Sequence, residues 1–154
     1  MQYIRSVSDA KILDRTAGRV ILLDEGGRVL LFQGFDPAAP GAPWWFTPGG
    51  GLEPGETIRE AAARELREET GLTVAQHELG EAVFDNYVEF SFDGVLLRQR
   101  NHFFRLRTRL FEVSTAGFEE MERRTTLGHR WWSAQELSRT TETFYPEELP
   151  TLLS

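Results

Sequence analysis

The chain is predicted to fold as an α/β/α sandwich around a mixed β-sheet. Three observations point there. Short runs of β-branched and large apolar residues, separated by Gly- and Pro-bearing turns, fill most of the 154 residues. One long amphipathic helix, with its own start and stop signals, interrupts them. The order strands, helix, strands, helix lets helices cover both faces of one sheet. No internal repeat, low-complexity tract or linker composition appears, so residues 1–154 read as a single domain.

The elements follow in order. Residues 17–23 and 28–32 read as strands joined by the hairpin turn Asp24-Glu25-Gly26-Gly27. Residues 35–43 are rich in Pro, Ala and Gly and read as a loop. Residues 44–48 read as a short strand running into Gly49-Gly50-Gly51. A helix over Ile58 to Thr70 has Thr57 as N-cap, Glu60 three residues on to complete a capping box, and Gly71 to end it in a left-handed turn. Residues 79–92 and 95–107 read as a long hairpin turning at Asp93-Gly94, and residues 115–126 as a polar loop or short helical turn. A strand is expected over 129–132, a short helix capped by Ser133 with Glu136, and a last helix over 146–153.

Composition narrows the function. The net charge of −7 disfavours stable nucleic-acid binding, which usually needs a basic patch. With no cysteine there is neither a disulfide nor thiol chemistry. Met1-Gln2-Tyr3-Ile4-Arg5 lacks the apolar run of a signal peptide, and no stretch approaches the roughly 20 apolar residues of a membrane span. The expectation is a cytoplasmic protein with no membrane partner, a monomer or a homodimer. Arg98, Arg100, Arg105, Arg107 and Arg109 are expected on one face of a strand, where a solvated face is favoured over phosphate contact.

The helix carries the chemistry. At about 100° per residue, Ile58, Ala61, Ala62 and Leu66 form an apolar stripe. Glu65 and Glu69 fall inside that stripe and Glu68 on its edge, while Arg59, Glu60, Ala63 and Arg67 take the other side. Ionised carboxylates pointing at a core need arginine partners or a cation, because desolvating each costs several kcal/mol. A glutamate cluster of this kind grips a hard divalent ion such as Mg2+, which prefers oxygen ligands and supports chemistry on phosphates.

The spacing is specific. Gly50 is followed after five residues by Glu56, then after seven by Arg64-Glu65-Leu66-Arg67-Glu68-Glu69-Thr70-Gly71-Leu72. This run resembles the Nudix box, the signature of Nudix hydrolases, at every fixed position. The resemblance implies the Nudix fold and hydrolysis of the pyrophosphate bond of a nucleoside diphosphate linked to another group, with Mg2+ or Mn2+ as cofactor. It implies Glu65, Glu68 and Glu69 as metal ligands, with Glu56 and Arg64 bracing the loop against the helix. Gly49 and Gly50 would let the backbone approach phosphates. Glu65 is the first candidate for accepting the attacking water's proton.

Many relatives of such a domain add a glutamate just before a Trp-containing strand, but here Arg130 precedes Trp131-Trp132. Glu119, Glu120 and Glu122 lie upstream, and Glu120 is the favoured further ligand. Most of the large aromatics belong in the core; Phe35 and Tyr145, in loop-like contexts, are the candidates to stack on a nucleobase. His77, His102 and His129 show no metal spacing. The substrate is a nucleotide: a nucleoside triphosphate, an oxidised one such as 8-oxo-dGTP, or a nucleotide sugar. An isomerase of isopentenyl diphosphate on the same fold would want a cysteine. A non-catalytic domain that senses a nucleotide metabolite and regulates a partner is the alternative, weakened by the complete set of box glutamates.

Overall fold

The structure, a computed structural model, describes the backbone of residues 4–7 and 10–154 and the side chains from Lys11 onward. The strands are β1 (Ile4–Val7), β2 (Ala10–Leu23), β3 (Val29–Asp36), β4 (Ala39–Phe46), β5 (Gly49–Gly51), β6 (Phe84–Phe92), β7 (Val95–Arg107), β8 (Thr126–Trp132) and β9 (Phe144–Tyr145). The α-helices are α1 (Ile58–Thr70), α2 (Glu120–Thr125) and α3 (Ala134–Arg139), with 3-10 turns at Gln76–Leu79 and Leu149–Leu152. The sheet runs β6-β7-β2-β3-β4-β9, with β1 and β5 also on β2 and β8 on β3. It is mixed: β2 lies parallel to β7 along its length and antiparallel to β5 at Ala17↔Gly51 and Arg19↔Gly49.

Alternation along β2 builds two cores. Ile21 and Leu23 face a cluster with Val29, Leu31, Trp45, Phe103 and Trp132, closed by Leu137 of α3 and by Leu149 and Leu153. Val20 and Leu22 face the other way, onto Leu30, Phe32, Phe104 and Phe118, closed by Ala62 and Leu66 of α1. Helices therefore cover both faces, and the expected α/β/α layering on a mixed sheet is found. The local signals act as expected: Thr57 and Glu60 form the capping box, Gly71 ends α1 at φ 82°, and Ser133 with Glu136 caps α3. In the first hairpin the Asp24 carboxylate accepts from the Gly26 and Arg28 amides at 2.9 and 2.8 Å, which fixes the turn.

Several local expectations change. Residues 35–43 are not a loop: β3 continues to Asp36 and β4 starts at Ala39, with a bulge after Gly34. Pro40 and Pro43 are tolerated because β9 pairs β4 only at Trp45 and Phe46, which leaves their edge open. The strand expected from residue 79 starts at Phe84, after a 3-10 turn closed by Gly80 at φ 65°. The expected last helix is a 3-10 turn carrying Pro150 in its first turn. The five arginines do not share a face. Arg98 and Arg100 differ in parity from Arg105 and Arg107, and a strand turns odd and even residues to opposite sides. Arg98 pairs with Glu89 at 3.2 Å and Arg100 with Asp85 at 3.4 Å, whereas Arg105 donates to the Leu152 carbonyl at 3.2 Å. Arg109 lies beyond the strand. His77 is exposed, and His102 and His129 sit in strands. Among the described residues no helix is long and apolar enough to cross a membrane.

Candidate functional site

The site forms where β5 lies against α1. A Cβ on Gly50 would stand 2.7 Å from the Glu65 carboxyl, so only glycine lets this carboxylate rest on the strand. A Cβ on Gly49, whose φ is 147°, would stand 2.5 Å from the Gly18 carbonyl oxygen and 2.7 Å from Arg19. The glycine strand is thus flanked by a glutamate on one side and arginines on the other. The Gly49 amide donates to the Glu69 carboxylate at 2.8 Å, which ties strand to helix.

Arg64 is the hub of the loop between β5 and α1. Its Nε and Nη2 donate to the two Glu56 oxygens at 2.7 and 3.0 Å. Its Nη1 donates to Glu65 at 2.8 Å and Glu68 at 3.2 Å, and Nη2 also reaches the Gly51 carbonyl at 3.1 Å. The hydrogen bond from Arg64 holds the Glu56 carboxyl below its ordinary value, and the same bonds raise the Arg64 guanidinium above its own. Glu56 in turn accepts from the Glu53 amide at 2.9 Å, so the turn is closed at both ends.

Carboxylate oxygens of Glu65, Glu69 and Glu122 all lie within 4.8 Å of one another. Glu69 is 4% exposed. Desolvation, then the hydrogen bond with Glu122 and the nearby Glu65 charge, push the Glu69 carboxyl well above the ordinary range. Burial likewise raises Glu65, against the opposing pull of Arg64. Like charges this close need a shared proton or a cation between them. An oxygen-only donor set, partly dehydrated and preassembled on backbone hydrogen bonds, fits a hard divalent cation.

Glu122 enters where the sequence favoured Glu120. Two residues apart on a helix point about 200° apart, so α2 presents only one of them to α1. Glu122 is the half-buried one, and its carboxylate also accepts from the Glu119 amide at 2.9 Å in a capping box. Glu120 is exposed, outside the cluster. Glu68 is turned to Arg64 and is not in the cluster either. Phe35 lies in β3 one residue before its end, and Tyr145 in β9 beside Phe46, half exposed; both sit in strands, not loops.

Sequence reasoning missed Arg15 and Arg19. Both stand on the face of β2 opposite α1, with Ala17 between them. Arg15 Nε donates to Gln99 Oε1, and Arg19 Nε to Asn101 Oδ1 at 3.1 Å. Arg19 Nη1 also donates to the Thr47 carbonyl at 2.9 Å. Gln99 Nε2 and then Asn86 Oδ1 extend the network through Asn101. Burial, and then the Arg19 charge, lower the Arg15 guanidinium to about 10, against attraction from Glu65 and Glu69. Burial lowers Arg19 as well. The sequence shows only that Arg15 and Arg19 share a parity; that their strand borders the glycines is set by long-range pairing.

Comparisons with known proteins agree with this geometry. A family model described as NUDIX domain matches residues 13–152. The chain is 47% identical over 60 residues to an RNA pyrophosphohydrolase of Dinoroseobacter shibae, covering 39% of this chain and 36% of that relative. It is 45% identical over 67 residues to an oxidized purine nucleoside triphosphate hydrolase of Danio rerio, covering 43% and 42%. These matches span less than half the length of either relative. In fold, it resembles a MutT protein from Methanosarcina mazei Go1 with a TM-score of 0.63 at 21% identity, covering 96% of both chains. A MutT NUDIX hydrolase from Burkholderia pseudomallei aligns with a TM-score of 0.61 at 18% identity, over 92% of this chain and 98% of that one.

Proposed function

The chain belongs to the NUDIX domain family, and on that premise we propose that it hydrolyses the pyrophosphate bond of a nucleoside polyphosphate with Mg2+, or Mn2+ in its place. The observation that carries the reading is the convergence of Glu65, Glu69 and Glu122 beside the backbone of β5. Those three carboxylates would hold the cation, and Glu68 stands one turn away on Arg64. A bound divalent cation neutralises phosphate oxygens and lowers the pKa of coordinated water, which offsets the chain's own negative charge.

The remaining work falls to the protein. Glu56 and Arg64 fix the loop between β5 and α1, and Gly49 and Gly50 hold Glu69 and Glu65 close against the strand that the phosphate chain would approach. Glu65 takes the proton of the attacking water. It is less buried than Glu69, whose oxygen already accepts from Gly49, so water reaches it more readily. The water oxygen bonds to phosphorus as the bridging P–O bond breaks, and the leaving phosphate carries the bridging oxygen. Phe35 and Tyr145 are the proposed stacking surfaces for the base. The relatives named for oxidised purine triphosphates and for RNA 5′ ends make nucleoside triphosphates the first class to test.

The test is a Mg2+-dependent hydrolysis screen over nucleoside triphosphates, oxidised nucleotides, nucleotide sugars and dinucleoside polyphosphates, with Glu69→Gln as the blank. Turnover on one class that vanishes in the variant supports the reading. No turnover on any class, with metal bound, overturns it.

A further inference from the structure

We propose that Arg15 and Arg19 form a subsite for the phosphate chain of the substrate, and that it becomes available once the carboxylate cluster holds its cation. The inference rests on the hydrolase reading and adds to it a pair of recognition residues and an order of binding.

Three observations carry it. The guanidinium groups are held by neutral partners: Gln99, Asn101 and the Thr47 carbonyl. Among the described residues neither arginine makes an ion pair. Two half-buried cations held only by amides and a carbonyl are costly unless a charge of opposite sign reaches them. The pair also adjoins the glycine strand on the side away from Glu65. A Cβ on Gly51 would lie 3.3 Å from Arg15 Cδ, and one on Gly49 would lie 2.7 Å from Arg19. β5 pairs with β2 along one edge, so a phosphate chain at its other edge would have the carboxylates with their cation on one face of the strand and the two guanidinium groups on the other. Finally, the acidic charge that does reach the pair comes from Glu65 and Glu69, the candidate metal ligands.

That last point sets the order. With the metal site empty, the carboxylates act as distant counter-ions for the arginines. A divalent cation offsets most of that attraction and leaves the two guanidinium charges less compensated, which an anion of several charges relieves. Metal and polyphosphate then bind with mutual support, and the coupling is reciprocal. Guanidinium suits the task because its fork meets two phosphate oxygens at once, while Nε remains on its amide.

The experiment compares Arg15→Gln, Arg19→Gln and Arg19→Lys with the wild type in three readouts. These are Mn2+ affinity, KM and kcat on a nucleoside triphosphate, and binding of inorganic pyrophosphate in the presence of Ca2+. Each Gln variant is expected to raise KM and weaken pyrophosphate about ten- to hundredfold, the loss of a charge-assisted hydrogen bond. Its kcat should fall less than its affinity. Mn2+ should bind each Gln variant as tightly as wild type or tighter, because a nearby positive charge has gone. Arg19→Lys should recover part of the pyrophosphate affinity. If Arg19→Gln fails to fold, Arg15→Gln, whose Nε has one neutral partner, carries the test. Unchanged KM and pyrophosphate affinity would overturn the subsite, and so would weaker Mn2+ binding in step with weaker substrate binding. Wild-type pyrophosphate binding that needs both arginines, without hydrolysis of any nucleotide, would sink the hydrolase reading and spare this one.

Discussion

Replacing Arg64 by alanine should destabilise the protein more than any other change at an arginine. The side chain is 14% exposed, as are those of its partners Glu56 and Glu65. The substitution removes the donor to Glu56, Glu65, Glu68 and the Gly51 carbonyl in one step. It leaves the Glu56 and Glu65 carboxylates, both poorly hydrated, without their shared cation, and Glu65 still beside Glu69 and Glu122. Removing one partner of a buried ion pair typically costs about 3–5 kcal/mol. For a chain of this length that corresponds to a fall in Tm of roughly 6–20 °C. Urea unfolding of metal-free protein, fitted with a common m-value, measures it. Arg67→Ala is the internal control: Arg67 is exposed on the same helix, and its loss should stay within about 0.5 kcal/mol. Saturating Mg2+ should recover part of the Arg64→Ala deficit, since a cation supplies the missing charge. A loss below about 1 kcal/mol, the range of exposed pairs, would refute the reasoning.

Other consequences follow from the same geometry. Glu122→Gln should lower turnover about ten- to a hundredfold, while Glu120→Gln stays within a few-fold; steady-state kinetics of the two separates α2's faces. Metal-free protein should lose stability as pH rises. A carboxyl raised in the folded state contributes stability at low pH and loses it as pH climbs through its folded pKa. Glu69 therefore disfavours folding increasingly above the ordinary carboxylate value of 4.5, and Glu69→Gln should flatten that slope in Tm against pH. Glu56, held low, acts in the opposite sense and only below 4.5. Gly18→Ala should destabilise by about 1–3 kcal/mol. Its Cβ would stand 2.5 Å from the Ile58 carbonyl oxygen, between β2 and α1, and thermal unfolding reads the effect.

What was legible in the sequence is what short-range physics dictates. The capping box at Thr57 and Glu60, the left-handed Gly71 and the Asp93-Gly94 turn are local signals, and each forms as read. The placement of Glu65 and Glu69 inside an apolar stripe showed that they must meet a partner, and the buried cluster meets that demand. Long-range features were less legible. Residues 35–43 are the tip of the hairpin in which β3 pairs with β4, and backbone pairing leaves little trace in a Pro- and Gly-rich sequence. Whether α2 would offer Glu120 or Glu122 depended on its rotation against α1, which six residues do not encode. The split of the β7 arginines was in fact readable, since Arg105 follows Arg100 by five positions and an odd interval reverses the face. Arg15 and Arg19 escaped notice because their neighbours Gln99 and Asn101 come from a strand more than eighty positions away.

Everything proposed for this site depends on Glu65, Glu69 and Glu122 holding a divalent cation. Stoichiometric titration with Mn2+, followed by electron paramagnetic resonance on wild type, Glu69→Gln, Glu122→Gln and Glu120→Gln, tests it most directly. A bound ion is expected in the wild type and in Glu120→Gln, with at least about tenfold weaker binding in the other two variants. Equal affinity in all four proteins, or a loss confined to Glu120→Gln, would contradict it.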